Sequence, residues 1–503
     1  MSKKVLIALI FLSTSYHGAT YAADASDCRT LYRLTDLSWA VEPGMIIPAT
    51  AGVPEHCRLR GVVNRAIRVE VRLPTENWNG RFMFSTVGGG AGSIGDTTSL
   101  LAQGFAMAST DTGHEGQSSE YMLQPEALLD YAYRGVHLAT QFGKAVTQRY
   151  YGTDIDLSYL KGCSNGGRAA LMEAIRFPDD YDGIIAGAPA FRFEEFASWM
   201  VGGAKQQARH PLTAKALQVL DDNSSRACDD LDGVKDGVIN DPRQCTQAML
   251  QLDKLACPSE SLDGCLSRGQ IETARYMYAD QHDASGHVVS PGVLPGAEGA
   301  GDWGFWMLEN DLLGTDNIIG GMSSTLANLM RHDPSFNIED FDPNNDRAKL
   351  AEAASVMDVQ TADLSEFKAR GGKLIIYQGW NDYPLRPQRS ISYLEEAESH
   401  HNGRKKTSEF FRLFMVPGMV HCQGGPGAWV ADYVDPLVTW REKGKAPSRI
   451  EASSGQRVFS LQPLADTALV ETFTRPLCAY PKLASYKGRG NTSETTNFEC
   501  KAP

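Results

Sequence analysis

Seven short runs of β-branched and aromatic residues, at 67–73, 81–87, 105–109, 157–161, 184–186, 373–377 and 411–416, are bounded by Gly and Pro and alternate with helix-length patterns such as 127–150 and 168–177. Strands alternating with helices are joined by crossovers, so a largely parallel sheet covered by helices on both faces is expected. The sixth run begins at Lys373, about 185 residues after the fifth ends near Ala186, whereas a crossover needs only about a dozen. A lid domain is therefore expected between them, over the carboxyl ends of the strands, where open α/β sheets place their ligands. The insert carries four cysteines, an Asp-rich loop, a Gly/Pro-rich stretch at 290–304 and the aromatic residues Trp303, Phe305 and Trp306. A chain of 503 residues exceeds one simple core. The expected division is 23–190 for the first part of the core, 191–365 for the lid, and 366–503 for the second part of the core.

Residues 1–22 read as a secretory signal peptide: Lys3 and Lys4, an apolar run over 5–12, then small residues at Ala19, Ala22 and Ala23, with cleavage expected after Ala22. No other stretch approaches the roughly 18 apolar residues of a membrane span, so a secreted or periplasmic protein without a membrane span is expected. A net charge of -13 repels phosphate backbones and argues against a nucleic-acid partner. The ten cysteines all lie beyond the cleavage point, an even number suited to an oxidising compartment, and none has the C-x-x-C spacing of a zinc site. Their number does not fix their connectivity. Pairing sequence neighbours joins Cys28 to Cys57, Cys228 to Cys245, Cys257 to Cys265 and Cys478 to Cys500, and leaves over Cys163 and Cys422.

Gly162-Cys163-Ser164-Asn165-Gly166-Gly167 is a G-x-S-x-G pattern between a strand and a helix. So tight a turn forces its serine into strained backbone geometry, larger neighbours would clash, and the hydroxyl is held up at the sheet edge. A serine hydroxyl is a poor nucleophile until a base takes its proton, so a histidine and an orienting carboxylate are required after later strands, in the order Ser, acid, His. Asp382 follows the run 373–377 and His421 follows 411–416, in a Gly-rich loop occupied by no other of the eleven histidines. A bridge between Cys163 and Cys422, which flank the serine and the histidine, would bring Ser164 and His421 within hydrogen-bond reach. An oxyanion hole is expected from the backbone N–H of Asn165 together with the loop Gly88-Gly89-Gly90, which lacks the Lys of a phosphate-binding loop. The segment 228–238 packs Asp229, Asp230, Asp232 and Asp236 closely, which favours a hard cation such as calcium, although its glycine spacing is not that of an EF-hand.

These segments, with Arg168, the stretch Gly371-Gly372-Lys373-Leu374-Ile375-Ile376-Tyr377-Gln378-Gly379-Trp380-Asn381-Asp382 and Val416-Pro417-Gly418-Met419-Val420-His421-Cys422, resemble the tannase and feruloyl esterase family of secreted serine esterases over nearly all of the mature chain. The resemblance implies an α/β-hydrolase fold with a large inserted lid and a catalytic Ser164, Asp382 and His421. It also implies a Cys163–Cys422 disulfide beside the four neighbour pairs. A structural calcium ion is implied on the side chains of Asp229, Asp232 and Asp236 with the backbone oxygens of Val234 and Val238. Gln378 stands where many members of the family carry His. The expected activity is hydrolysis of feruloyl, galloyl or terephthalate-monoester type aromatic esters through an acyl-enzyme. Trp303, Phe305 and Trp306 are candidates to hold the acyl ring, and Arg331 to meet a substrate carboxylate. The rival expectation is an exported protein that binds phenolics or glycans on the same scaffold without turnover.

Overall fold

The structure, a computed structural model, describes residues 25–117, 119–258, 263–308, 338–342, 346–455 and 472–503. The leader with its cleavage point after Ala22, and Arg331, lie outside the described residues.

Among the described residues, eight strands precede the insertion: β1 Trp39–Val41, β2 Met45–Ile47, β3 His56–Val63, β4 Ile67–Pro74, β5 Arg81–Ser85, β6 Ala106–Thr110, β7 Leu157–Cys163 and β8 Gly183–Gly187. The insertion holds the two-stranded pair β9 Gln281–His282 and β10 Val288–Ser290, and the chain then returns as β11 Lys373–Gly379 and β12 Phe411–Val416. A ten-stranded sheet runs β1-β3-β4-β6-β5-β7-β8-β11-β12, with β2 also paired to β3. From β6 to β12 every pairing is parallel, while β1, β2, β3 and β4 pair antiparallel and β4 meets β6 antiparallel.

The parallel strands are buried on both faces, which is why they read as apolar runs. Successive side chains point to opposite faces. Thus Phe82, Phe84, Leu160, Ile184, Leu374 and Ile376 join one core with Val136, Phe142 and Val146 of helix Gly135–Tyr151 and Ala170 and Leu171 of helix Asn165–Arg176. Met83, Tyr159, Ile185, Ile375 and Phe414 face the other way, against Leu437, Val438 and Trp440 of helix Val434–Lys443. Burial stabilises each such side chain by about 1.5–3 kcal/mol, so the central strands anchor the loops at their carboxyl ends.

Two sequence expectations need correcting. The strands β1, β2 and β3 were not expected, because β3 alternates Arg58 and Arg60 with apolar residues and lacks a continuous apolar run. Those arginines, with Arg72, converge on the buried Glu70 at 2.8–3.0 Å. The helix expected over 127–150 is also not continuous. A π-helical turn, Asp130–Arg134, separates helix Pro125–Leu129 from helix Gly135–Tyr151. Arg168 donates to the carbonyls of Tyr131 and Ala132 at 3.0 and 2.8 Å, so both are drawn out of the ordinary helical ladder.

Helices Phe193–Arg209, Ala214–Cys228, Arg268–Tyr278 and Asp302–Met307 of the insertion share a second core containing Met200, Leu217, Leu220, Ile271, Met277 and Trp303, to which Tyr383 also belongs. Asn381 Nδ2 donates to Pro295 O at 2.9 Å, so this part of the insertion lies against the loop that follows β11. After β12 come β13 Ala428–Ala431, β14 Arg449–Ser454 and β15 Thr474–Cys478, an antiparallel sheet, and the hairpin β16 Leu483–Tyr486 with β17 Phe498–Lys501. Among the described residues no helix is long and apolar enough to cross a membrane.

Candidate active site

Ser164 ends the β7 turn with φ 64° and ψ −126°, a conformation that costs a non-glycine residue of order 1–3 kcal/mol. The glycines around it make the turn possible. A Cβ on Gly162 would overlap Thr86 Oγ1 and the Gly166 carbonyl, and one on Gly167 would overlap the Gly187 carbonyl. The strained residue is held from both sides: its N–H donates to Gly187 O, and its carbonyl accepts from Arg168 N, each at 3.0 Å.

The loops after β11 and β12 bring two side chains to this serine. His421 Nε2 lies 3.0 Å from Ser164 Oγ, and His421 Nδ1 lies 2.9 Å from Asp382 Oδ2. With the Nδ1 proton donated to the carboxylate, Nε2 is left as the acceptor for the serine proton. Asp382 has a side chain with 0% exposure and is further held by Leu385 N at 2.8 Å and Gln378 Nε2 at 2.9 Å. Gln378 is fixed in turn by Ser390 Oγ, which donates to Gln378 Oε1 at 3.0 Å. Cys163 and Cys422 form a disulfide, and the other four bridges join Cys28 to Cys57, Cys228 to Cys245, Cys257 to Cys265 and Cys478 to Cys500.

Asn165 opens the helix after the serine, so its N–H has no carbonyl within the helix to bond. The loop Gly88-Gly89-Gly90 lies beside it: a Cβ on Gly88 would sit 3.5 Å from Ser164 Cβ. Its orientation is set from behind. Tyr131 Oη donates to Gly89 O at 2.9 Å, His114 Nε2 meets Gly90 O at 2.6 Å, and the amide of Gly90 is committed to Gln117 Oε1 at 3.0 Å. The amides of Gly88 and Gly89 are therefore better placed than that of Gly90 to meet an oxyanion beside Asn165.

Asp302 is a member of the site that sequence reasoning did not single out. It is fully buried, its Oδ2 accepts from the backbone N–H groups of both Tyr383 and His421 at 3.1 Å, and its Oδ1 accepts from Trp306 Nε1 at 3.1 Å. Burial, with the nearby Asp382 charge, pushes its carboxyl up to about 6 against the pull of His421. No motif spacing marks it. The available signal was an Asp at the start of the aromatic cluster in the insertion.

The aromatic residues of the insertion part company. Trp303 is buried in the core of the insertion, with its ring centroid 5.7 Å from Tyr278 and 5.0 Å from Tyr383, which corrects the expectation that it lines the acyl pocket. Trp306 is only partly buried and stands edge-on to the His421 ring at 6.1 Å, with Phe305 edge-on to it at 5.8 Å.

In the Asp-rich loop, Asp229 Oδ1 accepts from Gly237 N at 3.0 Å, Asp232 Oδ1 from Val234 N at 2.9 Å, and Asp236 Oδ1 from Val238 N at 3.2 Å. Burial first, and then the charges of Asp236 and Asp229, push the Asp232 carboxyl up to about 6, and Asp236 also pairs with Arg475. An oxygen-only donor set, with Asp229 buried and Asp232 and Asp236 half-buried, fits a hard cation. Among the described residues, the group whose ligand atoms lie close enough together to hold a metal ion is a different one. The ligand atoms of His137, Glu173 and Asp180 all lie within 4.8 Å of one another, towards the far end of the helix that begins after Ser164.

The sequence profile of tannase and feruloyl esterase matches residues 52–501. The chain belongs to the tannase and feruloyl esterase family. It is a carboxylic ester hydrolase of that family, with the α/β-hydrolase fold. The chain is 31% identical to mono(2-hydroxyethyl) terephthalate hydrolase of Piscinibacter sakaiensis, covering 91% of this chain and 87% of that one. It is also 31% identical to a probable feruloyl esterase B-2 of Aspergillus terreus, covering 93% and 90%. The crystal structure of an esterase from Aspergillus oryzae superposes with a TM-score of 0.84 at 26% identity, covering 95% of this chain and 100% of that one. Membership of an esterase family removes the support for a non-catalytic binding protein.

Proposed function

We propose that this family member is an exported serine esterase that cleaves aromatic carboxylic esters in two steps through an acyl-enzyme. The reading is carried by the unbroken relay from Ser164 Oγ through His421, 3.0 Å away, to Asp382, at a serine held in strained geometry. His421 Nε2 takes the hydroxyl proton as Oγ attacks the ester carbonyl. The negative oxygen that forms is met by the N–H of Asn165 and an amide of the Gly88-Gly89 segment. The imidazolium then returns its proton to the leaving alcohol. Water repeats the sequence on the acyl-enzyme, with the same base and the same oxyanion donors. Asp382 holds the Nδ1 proton throughout and stabilises the imidazolium.

An aromatic acyl group is supported by the half-buried Trp306 ring beside His421, with Phe305 against it, and by relatives whose names specify feruloyl and terephthalate esters. Segment 191–365 is read as the lid that completes the acyl pocket. A structural calcium ion would be held by Asp229, Asp232 and Asp236 with the backbone oxygens of Val234 and Val238, where it would neutralise the acid cluster. Five disulfides and the N-terminal 22 residues support export.

The deciding experiment compares hydrolysis of methyl ferulate, methyl gallate and mono(2-hydroxyethyl) terephthalate by wild type and Ser164→Ala. Turnover of at least one, lost in the variant by at least about 10³-fold, is expected. Equal rates in both proteins would refute the assignment of the nucleophile, and turnover confined to short aliphatic esters would refute the aromatic specificity.

A further inference from the structure

We propose that Asp302 is a positioning residue of the esterase, a second buried carboxylate that locks the lid helix to the loop of the base and holds His421 in register with Ser164. The proposal rests on the reading of Ser164, His421 and Asp382 as the reacting groups.

Three chain segments far apart in sequence end on this one carboxylate. The Trp306 indole comes from its own lid helix, the Tyr383 amide from the loop after β11, and the His421 amide from the loop after β12. All three partners are N–H donors, so the group must act as an acceptor, which is what an ionised carboxylate does. A fully buried charge is retained only where hydrogen bonds replace its hydration, and here they do so at the base itself. The ionisable groups that face it are His421, Asp382 and the Tyr383 phenol.

Two consequences follow from this placement. When His421 takes the proton of Ser164, the imidazolium lies in the field of two carboxylates rather than one. The same anion also sets the Trp306 ring edge-on to the imidazole, so the wall of the acyl pocket and the base move together. A plain packing role for Asp302 would give neither a charge effect on the base nor a coupling of the lid to it. Protonation of Asp302 removes the negative charge and places a hydroxyl proton among N–H donors, which loosens the lock. The anionic form is therefore the active one.

The test is the pH profile of kcat/KM for p-nitrophenyl acetate and an aromatic methyl ester, in wild type, Asp302→Asn and Trp306→Phe. Folding is checked by thermal unfolding, and Ser164 reactivity by stoichiometric labelling with a fluorophosphonate. Asp302→Asn is expected to lower the plateau kcat on the order of tenfold or more. Its acid limb should move to lower pH by about half a unit, because an imidazolium with one carboxylate fewer loses its proton more readily. Trp306→Phe keeps the carboxylate but removes one donor, so Asp302 is protonated more easily and the acid limb is expected to move to higher pH. The opposite signs are what a packing role does not produce. An acid limb left in place in either folded variant, or a kcat of Asp302→Asn within twofold of wild type, would overturn the proposal. If Asp302→Asn does not fold, the direction of the Trp306→Phe shift decides. A wild type that neither hydrolyses the esters nor labels at Ser164 refutes the underlying reading, and this inference with it.

Discussion

Cys163 and Cys422, 259 positions apart, are joined with their Cα atoms 6.0 Å apart, so the residue before the serine and the residue after the base share one covalent link. Cys422 Sγ is also 3.8 Å from His421 Nε2. The loop after β12 is thus tied directly to the turn after β7, two strands that are not neighbours in the sheet. The Cys163→Ala/Cys422→Ala protein is expected to lose kcat on p-nitrophenyl acetate by about tenfold or more, because a 1 Å displacement of the base suffices for such a loss. Cys257→Ala/Cys265→Ala, within the insertion, should stay within about twofold of the wild-type kcat by the same geometric argument. Steady-state kinetics on both proteins, with disulfide content verified by mass spectrometry, checks this; equal losses would remove the special role of the first bridge.

In the proposed mechanism Gln378 acts on Asp382 rather than on the substrate. It is buried, and its amide donates to the same Asp382 oxygen that accepts from His421. Gln378→Leu deletes this donor, and kcat is expected to fall about three- to tenfold while KM changes by less than about twofold, as for loss of one buried hydrogen bond to a charged group. A change confined to KM would show that the side chain acts on binding instead.

Tyr131 supports the glycine loop proposed for the oxyanion through one bond, Oη to Gly89 O. Tyr131→Phe preserves the ring and removes that bond, leaving the glycine segment free to rotate its amides away from the serine. The expected loss is about three- to tenfold in kcat for an aromatic methyl ester, with KM little changed, since the donors act on charge present only in the transition state. Kinetics at saturating ester distinguishes this from a binding defect, and an unchanged kcat would discount the loop's support.

Glu70 carries a stability signature that depends on pH. Burial alone would raise its carboxyl, but hydrogen bonds from Arg60 and Arg72 and the charges of Arg72 and Arg58 outweigh that and hold it at about 2. A carboxyl depressed in the folded state contributes stability that is full above its ordinary value near 4.5 and fades as pH falls towards 2. Glu70→Gln is expected to cost about 2 kcal/mol at pH 7. That cost should shrink steadily below pH 4.5. Denaturant unfolding at pH 7 and pH 3 measures it, and a deficit independent of pH would show that packing rather than ionisation is lost.

The residues that could be read in advance are those whose job is set by their immediate neighbours. Gly162, Gly166 and Gly167 mark the turn at Ser164 because their spacing around the serine is a short-range pattern, although the atoms that would meet a Cβ there come largely from Thr86 and Gly187 of other segments. The strands β5, β7, β8, β11 and β12 were legible because double-sided burial leaves an apolar run, and Asp382 and His421 followed from their position just after two of them. The first three strands were not, since β3 carries its arginines to the Glu70 partner on β4, and a charge alternation looks like surface until its partner is known.

What the chain determined by itself was therefore the parallel core, the serine turn and the two loops that answer it, because periodicity and turn chemistry act over a few residues. Only the tertiary structure decided that Trp303 turns into the core of the insertion while Trp306 stands beside His421, and that Asp302 gathers amides from positions 383 and 421. A carboxylate has no preferred partner in its own segment. Its role is set by which N–H groups the folded chain brings within 3.1 Å after water has been excluded, and that is a property of packing between distant segments rather than of sequence spacing.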